Sequence, residues 1–290
     1  MSWNFQYDSP NAISAMLDEY GLAMTKKFGQ NFLLSESVRK RIVDEMKISK
    51  DSTAWEIGPG LGAITSLMIE TGAQITSFEI DHGFCRILED QAFGDDPNFT
   101  LIEGDALKTW CDIWDSKGTP DVICGNLPYN VGSVVIASIL EYGCRPERMV
   151  YTLQKEVAER LCAGPGSKNW SSLSILCQVD YDMKIVTDIN KGAFFPVPNV
   201  VSSVITMVKK ETPLVPFDER ETFLMVIRDL FRQRRKTVRN NLLSGNTGKK
   251  IGREGVLDSL AAAGIKESER GEKLGIEEIG TLARAITARF

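Results

Sequence analysis

A glycine-rich stretch and two acids beyond it have the spacing of a site for a nucleoside-containing cofactor. Residues 55–62 read Trp-Glu-Ile-Gly-Pro-Gly-Leu-Gly and fall where a β-rich run should turn into a helix. Gly58 and Gly60 let the backbone approach a ligand without a Cβ in the way, and free N–H groups at a helix start favour negative charge. Glu79, 19 residues beyond Gly60, ends the next β-rich run, where a carboxylate can accept hydrogen bonds from both ribose hydroxyls. Asp105 follows a third run, where a carboxylate can accept from an adenine amino group.

These features leave alternatives open. Gly58, Gly60 and Ala63 also fit the relaxed G-x-G-x-x-A dinucleotide fingerprint, which is typical of nicotinamide-dependent dehydrogenases. An acid such as Asp105 is equally common in a solvated loop that binds nothing. The pattern therefore predicts a nucleoside cofactor without choosing between a dinucleotide and S-adenosylmethionine.

The tetrapeptide Asn126-Leu127-Pro128-Tyr129 follows a fourth β-rich run and indicates chemistry on a base amino group. Such a nitrogen is a poor nucleophile because its lone pair is delocalised into the ring. The Asn126 side-chain oxygen and a backbone carbonyl next to Pro128 can accept its two N–H bonds and localise that pair, while Tyr129 can stack on a base taken out of its helix. Asn and Pro also favour simple turns, which is the alternative interpretation. The single histidine, His82, is expected at an exposed helix start without a catalytic role.

Alternating β-rich and helical stretches predict the element that must position these residues. Helical stretches separate most of the short apolar runs, so βαβ units and a parallel sheet with helices on both faces are expected. Both motifs would then lie at carboxyl ends of parallel strands, where α/β proteins bind ligands. Runs 174–189 and 200–209 follow without a long helix between them and predict an antiparallel pair at the sheet edge. The expected strands before them are 53–57, 74–80, 98–102, 121–124 and 148–154.

The pattern changes after residue 210. Pro213 and Pro216 interrupt regular structure and suit a linker. Beyond them apolar residues recur at helical spacing up to residue 242, and 251–263 and 276–289 also have helical patterns. We therefore expect a Rossmann-like α/β domain over 1–210 and a small all-α domain over 211–290.

The charge is unevenly distributed along the chain. A net charge of −5 and a pI near 5.2 argue by themselves against a nucleic-acid partner. Residues 228–250, however, contain eight basic side chains and a single acid, Asp229. Four of the arginines recur at intervals of four, three and four, which predicts one helical face that could follow phosphates, although charge runs are usually just solvated faces. The candidate RNA-binding residues are Arg228, Arg232, Arg235, Lys236 and Arg239.

Composition places the protein among ordinary globular chains: 43% of its 290 residues are hydrophobic and 25% are charged. The six cysteines include no C-x-x-C pair, so we expect reduced, mostly buried thiols and no metal site. The apolar runs are far shorter than the ~20 residues that span a bilayer. Residues 1–15 have neither a secretory nor a transit pattern, so a cytoplasmic protein is expected.

Together these motifs resemble the KsgA-type ribosomal RNA adenine dimethyltransferases, small-subunit enzymes that depend on S-adenosylmethionine. The stretch 26–33 matches the amino-terminal signature of the family, and 194–200 matches its F-x-P-x-P-x-V loop. Residues 231–242 match its F-x-x-R-R-K-T-x-R-N-N-L segment, and 270–274 resemble a weaker carboxyl-terminal motif. Together with the glycine-rich stretch 55–62, called the glycine turn below, these segments extend the resemblance from residue 26 to about 280.

The resemblance implies roles for particular residues. Asn31 and Leu33 would close over the cofactor, and Asn126 would hold both the cofactor and the target edge. Tyr129 and Phe194 would clamp the flipped adenine, with Phe195 as the alternative to Phe194. The cofactor-binding residues would be Asn31, Leu33, Gly58, Gly60, Glu79, Asp105 and Asn126, and the residues at the base would be Asn126, Leu127, Pro128, Tyr129 and Phe194.

The function implied by the resemblance is dimethylation of N6 in two adjacent adenosines near the 3′ end of small-subunit rRNA. The acidic pI suggests that the enzyme relies on a preassembled pre-30S particle for recognition. We also expect a monomer, with no membrane and no metal involved. Two other hypotheses stay open beside the dehydrogenase. One is an Erm-type methyltransferase of large-subunit rRNA, against which residues 231–242 argue, and the other is an assembly factor that binds RNA without methylating it.

Overall fold

The computed structural model describes residues 3–22, 31–128 and 131–290. These residues form two compact units. The first comprises the described residues up to Ala158 together with Lys184–Lys209, and the second comprises Glu159–Met183 together with Lys210–Phe290.

The elements of the first part of the chain alternate as the sequence predicts. In chain order they are α1 (Pro10–Glu19), β1 (Phe32–Leu33), α2 (Glu36–Met46), β2 (Thr53–Ile57), α3 (Thr65–Ile69), β3 (Gln74–Glu79), α4 (His82–Ile87), a π-helical turn (Leu88–Ala92), β4 (Phe99–Glu103), α5 (Ala106–Lys117), β5 (Val122–Asn126), α6 (Gly132–Tyr142) and β6 (Arg148–Gln154). The remaining elements are α7 (Lys155–Leu161), α8 (Ser172–Gln178), β7 (Tyr181–Ile189), a 3₁₀ turn (Lys191–Ala193), β8 (Phe194–Phe195), β9 (Ser202–Lys209), a 3₁₀ turn (Phe217–Glu219), α9 (Arg220–Leu230), α10 (Val238–Ser244), α11 (Asn246–Ala262), a 3₁₀ turn (Gly271–Lys273) and α12 (Ile276–Thr287).

Among the described residues, the main sheet has the strand order β4-β3-β2-β5-β6-β9-β7. Strands β4, β3, β2, β5 and β6 run parallel, and β9 pairs antiparallel with β6. Because β3 and β5 flank β2, the chain reverses its direction of winding at β2, and a crevice opens at the carboxyl ends of β2 and β5. A separate ribbon pairs β1 with β8, with Leu33 opposite Phe194.

One predicted strand is wrong in its first half. Residues 174–189 were expected to be one β-rich run, but the chain forms helix α8 over Ser172–Gln178 before β7 begins. A reciprocal capping box decides this: the Ser171 hydroxyl accepts from the Ser174 backbone, and the Ser174 hydroxyl accepts from the Ser171 N–H. Ile175, Leu176 and Cys177 are all buried within this helix, so the cap and the burial outweigh the strand preference of Ile175.

The second unit, called the helical unit below, also differs from the domain predicted over 211–290, because it includes Glu159–Met183. Trp170 and Ile175 pack in the same apolar cluster as Phe223 of α9, and the Trp170 indole N–H donates to the Leu274 carbonyl at 2.9 Å. Arg220 and Asp180 form a buried ion pair in this unit. These long-range contacts are not visible in local sequence.

The expected single basic face does not exist as a helix. Helix α9 ends at Leu230, and residues 231–237 form a turn before α10. The Thr237 hydroxyl caps α10 by accepting from the Asn240 N–H, and the Asn241 amide donates to the carbonyls of Leu230 and Gln233 across the turn. Arg232 and Arg235 therefore lie in the turn, whereas Arg228 and Arg239 lie on the two helices beside it.

The structure also gives the positions of the single histidine and of the six cysteines. His82 begins α4, is largely exposed, and lies 3.0 Å from the Glu103 carboxylate. All six cysteines are free thiols, and Cys111 and Cys162 are the two that are only partly buried. Within the described ranges no helix has the length and apolar character needed to cross a membrane.

Candidate active site

The predicted cofactor residues converge on one cavity of about 190 Å³ at the carboxyl ends of the parallel strands. Gly58 follows β2, Glu79 ends β3, Asp105 follows β4 and Asn126 ends β5. The wall thus includes every residue predicted to bind the cofactor: Asn31, Leu33, Gly58, Gly60, Glu79, Asp105 and Asn126. Residues 26–30 of the amino-terminal signature and Tyr129 lie outside the described residues.

The glycine turn has a backbone that only glycine adopts readily. Gly58 and Gly60 have φ values of +72° and +59°. A Cβ on Gly58 would meet no atom within 4 Å, so the space beside this backbone is open to a ligand. The next helix, α3, begins only at Thr65, so the turn itself and not a helix terminus shapes this wall.

Glu79 is buried and held in place by two backbone donors. Its carboxylate oxygens accept from the Gly60 N–H at 3.0 Å and from the Asp81 N–H at 2.9 Å. Burial raises the pKa of the carboxyl group to about 7, and the backbone hydrogen bonds oppose that rise. Each oxygen keeps a second lone pair, so Glu79 could still accept from ligand hydroxyls.

Glu56 is a second buried acid on the same wall, and the sequence analysis did not single it out as a site residue. One of its oxygens accepts from the Thr65 and Ser77 hydroxyls. Burial raises its pKa to about 7, and the nearby charge of Glu79 adds to the rise. The sequence did contain a signal for this site residue: Glu56 is an acid between the apolar residues Trp55 and Ile57 in a predicted strand.

Asp105 is the N-cap of α5, because its Oδ1 accepts from the Leu107 N–H at 3.0 Å. The cap leaves Oδ2 for another donor, and Asp105 lines the cavity together with Gly104 and Ala106. Asp105 is half-buried and lines the cavity, which favours its predicted role over that of an isolated solvated loop acid.

Asn126 is the first residue of the tetrapeptide 126–129, called the base motif below, and its side chain is hydrogen-bonded to Asn31, which precedes β1. Its amide nitrogen donates to the Asn31 carbonyl at 2.9 Å, which fixes the side-chain oxygen as the remaining acceptor. The Pro128 carbonyl accepts from the N–H groups of Val131 and Gly132 at the start of α6. Leu127 is buried, and its N–H donates to the Thr152 carbonyl, which fixes the backbone of the motif against β6.

The structure separates the two phenylalanines of β8. Phe194 is only 2% exposed and packs in the core cluster with Leu33, Ile42 and Val204. Phe195 is half-buried and packs against the cluster that contains Phe32 and Phe84. Neither lines the cavity wall as described, and Phe194 would have to leave the core to stack on a base.

The basic residues of the helical unit differ in how strongly they are engaged. Arg232 donates to the Ser244 carbonyl at 2.8 Å, and Arg239 pairs with Glu267 at 3.1 Å. Arg234 pairs with Glu272 and donates to the Lys168 carbonyl. Arg235 and Lys236 are exposed, and their side chains make no hydrogen bond or ion pair within the described residues.

No cluster of three or more His, Cys, Asp or Glu side chains that could hold a metal ion occurs in the described part of the chain. The cavity instead offers buried carboxylates, a glycine turn and an amide at the ends of parallel strands. A sheet of this order, with that set of groups at the carboxyl ends of its parallel strands, is typical of Rossmann-like enzymes that bind a nucleoside-containing cofactor.

Comparison with known proteins narrows the class. Residues 21–286 match the model of the family described as ribosomal RNA adenine dimethylase. The chain is 40% identical to ribosomal RNA small subunit methyltransferase A of Treponema denticola, over 97% of this chain and 95% of the relative. It is 37% identical to the protein of that name from Geobacillus kaustophilus, over 97% of each chain.

Two solved structures share the fold. A dimethyladenosine transferase from Plasmodium falciparum aligns with a TM-score of 0.72 at 23% identity, covering 86% of this chain and 94% of that one. The 23S rRNA methyltransferase ErmE aligns with a TM-score of 0.64 at 22% identity, covering 88% and 99%. The chain belongs to the ribosomal RNA adenine dimethylase family. It is therefore an rRNA adenine dimethyltransferase, and the dehydrogenase hypothesis is wrong.

Proposed function

We propose that this enzyme transfers methyl groups from S-adenosylmethionine to N6 of two adjacent adenosines near the 3′ end of small-subunit rRNA, giving N6,N6-dimethyladenosine. The observation that carries the proposal is the Asn126 amide, fixed by the Asn31 carbonyl at the end of β5 in the same cavity as Glu79 and Asp105. The curated relatives from Treponema denticola and Geobacillus kaustophilus carry the name of a small-subunit methyltransferase, which supports this choice of subunit.

The groups on the cavity wall are those that S-adenosylmethionine would require. Glu79 would accept from the ribose hydroxyls, and Asp105 Oδ2 would accept from the adenine amino group. Gly58 and Gly60 leave open backbone for the amino-acid end, beside Asn31 and Leu33. When bound, the cofactor supplies the activated methyl group, and the buried acids Glu56 and Glu79 suit its positive charge.

The base motif would hold the target amine. The Asn126 side-chain oxygen and the Leu127 carbonyl would accept the two N–H bonds of N6, localising its lone pair toward the methyl group. As the new N–C bond forms and the S–C bond breaks, the nitrogen becomes acidic and gives its proton to water. Tyr129, with Phe194 or Phe195, would stack on the flipped adenine, and such a contact contributes ~1–3 kcal/mol.

The helical unit would bind the RNA backbone. Within the predicted set, Arg235 and Lys236 are the best candidates. Both are exposed in the 231–237 turn, and within the described residues their side chains make no hydrogen bond or ion pair that phosphate would have to displace. Arg228, Arg232 and Arg239 would flank them. We propose that the enzyme acts as a monomer in the cytoplasm on a pre-30S particle, whose shape compensates for the acidic pI.

The test offers unmethylated small and large ribosomal subunits to the protein with labelled S-adenosylmethionine, followed by nuclease digestion and mass spectrometry of the nucleosides. Dimethyladenosine from the small subunit alone is expected. Label in the large subunit would assign the protein to the Erm-type alternative. Cofactor binding without label in either subunit would contradict the proposal and favour an assembly role.

A further inference from the structure

Two residues of the described segment 3–20 line the cavity although this segment precedes the family match, which begins at residue 21. Tyr7 and Ile13 line the same cavity as Gly58 and Glu79. None of the motifs that define the family includes either residue, so their part in the site has to be argued from their contacts.

Tyr7 is anchored from three sides. Its hydroxyl accepts from the Trp3 indole N–H at 2.7 Å, and the Ser66 side chain, just beyond the glycine turn, lies beside it. The Arg39 guanidinium lies over its ring, 5.3 Å from the centroid. Tyr7 is only 8% exposed, and burial raises the pKa of its hydroxyl, so it stays neutral. The ring is therefore a rigid apolar element of the wall.

Arg39 links Tyr7 to the end of β1, where the predicted cofactor residue Leu33 lies. Its guanidinium is 6% exposed and donates to the carbonyls of Leu33 and Leu34 at 3.1 and 3.0 Å. Removing the Tyr7 ring would expose this cation and loosen the carbonyls it holds. Arg39 does not line the cavity, so it is a positioning residue.

Helix α1 supplies the rest of this wall. Ser9 caps the helix by accepting from the Ala12 N–H, and Pro10 occupies its first turn. Ile13 and Leu17, one turn apart, are both buried in the cluster that contains Phe32 and Phe84. Only Ile13 of this pair lines the cavity, which makes Leu17 a matched control.

We infer that Tyr7 and Ile13 are cofactor-contacting residues of the S-adenosylmethionine site and cover it on the side of the glycine turn. This inference rests on the proposed function. The covered wall keeps water from the ligand and adds apolar contact area that the family motifs do not supply.

The experiment measures binding of S-adenosylmethionine and S-adenosylhomocysteine by isothermal titration calorimetry, with thermal unfolding recorded for every variant. Ile13→Ala should weaken both ligands about tenfold, because it removes buried apolar contact, whereas Leu17→Ala should stay within about twofold of wild type. Both variants should lower the unfolding temperature similarly. Tyr7→Ala, which removes the ring, should also weaken both ligands, and Tyr7→Phe, which keeps the ring, should restore most of the affinity lost in Tyr7→Ala.

Equal weakening by Ile13→Ala and Leu17→Ala would show a purely structural segment and overturn the inference. So would unchanged binding in Ile13→Ala and Tyr7→Ala. If an alanine variant fails to fold, Ile13→Val against Leu17→Val repeats the comparison with smaller truncations. Absence of S-adenosylmethionine binding by the wild-type protein would instead contradict the proposed function itself.

Discussion

The Asn126 side-chain amide donates a hydrogen bond to the backbone carbonyl of Asn31 across 95 positions of sequence, at 2.9 Å. The first residue ends β5 and begins the base motif, and the second precedes β1 in the amino-terminal signature. The loop that would hold the cofactor and the amide that would hold the base are thus fixed to each other. A change at Asn126 should affect catalysis through both.

Asn126→Ala should lower kcat/KM for unmethylated small subunits by roughly 10²-fold or more, because the acceptor for the target amine is lost. Affinity for S-adenosylmethionine should fall less, since Glu79 and Asp105 remain. Methylation kinetics and calorimetry on the same preparation check this. A variant that loses cofactor affinity and turnover in equal proportion would show that Asn126 serves the cofactor alone.

Alanine substitutions of the two phenylalanines of β8 should differ in their effect on stability. Phe194→Ala removes a buried core side chain and should cost about 3–5 kcal/mol in the free energy of unfolding. Phe195→Ala should cost much less stability. Tyr129→Ala should leave cofactor binding nearly intact and abolish turnover, and the phenylalanine variant that behaves in the same way identifies the second stacking residue. Equal loss of cofactor affinity in Tyr129→Ala would contradict the base-clamp assignment.

Cofactor affinity should rise with pH through the ionisation of Glu79. Its pKa is raised to about 7, and the ionised form is the better acceptor for ribose hydroxyls and the better partner for a cation. The dissociation constant of S-adenosylmethionine should therefore fall between pH 6 and 8. Glu79→Gln should bind weakly with a flatter profile, whereas the exposed change Glu36→Gln should keep the wild-type profile. A pH-independent wild type would exclude this role.

Stability should show the opposite dependence because of Glu56. Its pKa is about 7 in the folded protein and 4.5 in the reference state, so the folded protein binds the proton more tightly. Its contribution is then fully present below pH 4.5 and is lost as pH rises through 7. Glu56→Gln cannot lose a proton and should show a smaller decrease in unfolding free energy from pH 5 to 8, by up to about 3 kcal/mol. Urea unfolding at the two pH values measures this, and a decrease as large as in wild type would refute it.

The 231–237 turn should carry a salt-dependent part of RNA binding. The double variant Arg235→Ala, Lys236→Ala should weaken binding to the small subunit and lower the slope of log K against log salt by about 1 to 2. Arg234→Ala is the matched control, because Arg234 is already paired with Glu272. Filter binding at several salt concentrations distinguishes them, and cofactor affinity should not change in either. Identical slopes for the two would place the phosphate contacts elsewhere.

Local sequence determined the elements whose signals lie within a few residues. The β-rich runs 53–57 and 148–154 became strands β2 and β6 with those bounds. Parallel pairing then placed Gly58, Glu79 and Asn126 at one edge, because the carboxyl ends of parallel strands meet there. This order brings the predicted cofactor residues that follow the strands to one cavity, and the motifs pointed to the family that the comparisons established.

Tertiary structure decided what depends on distant partners. Residues 172–178 are helical because their cap and burial override strand propensity, and residues 159–183 join the helical unit through Trp170 and the Arg220–Asp180 pair. Arg232 and Arg235 leave the expected helix because Asn241 holds the turn closed. Tyr7 lines the cavity through contacts with Ser66 and Arg39, far along the chain. The raised pKa values of Glu56 and Glu79 come from burial, which only packing from several elements creates.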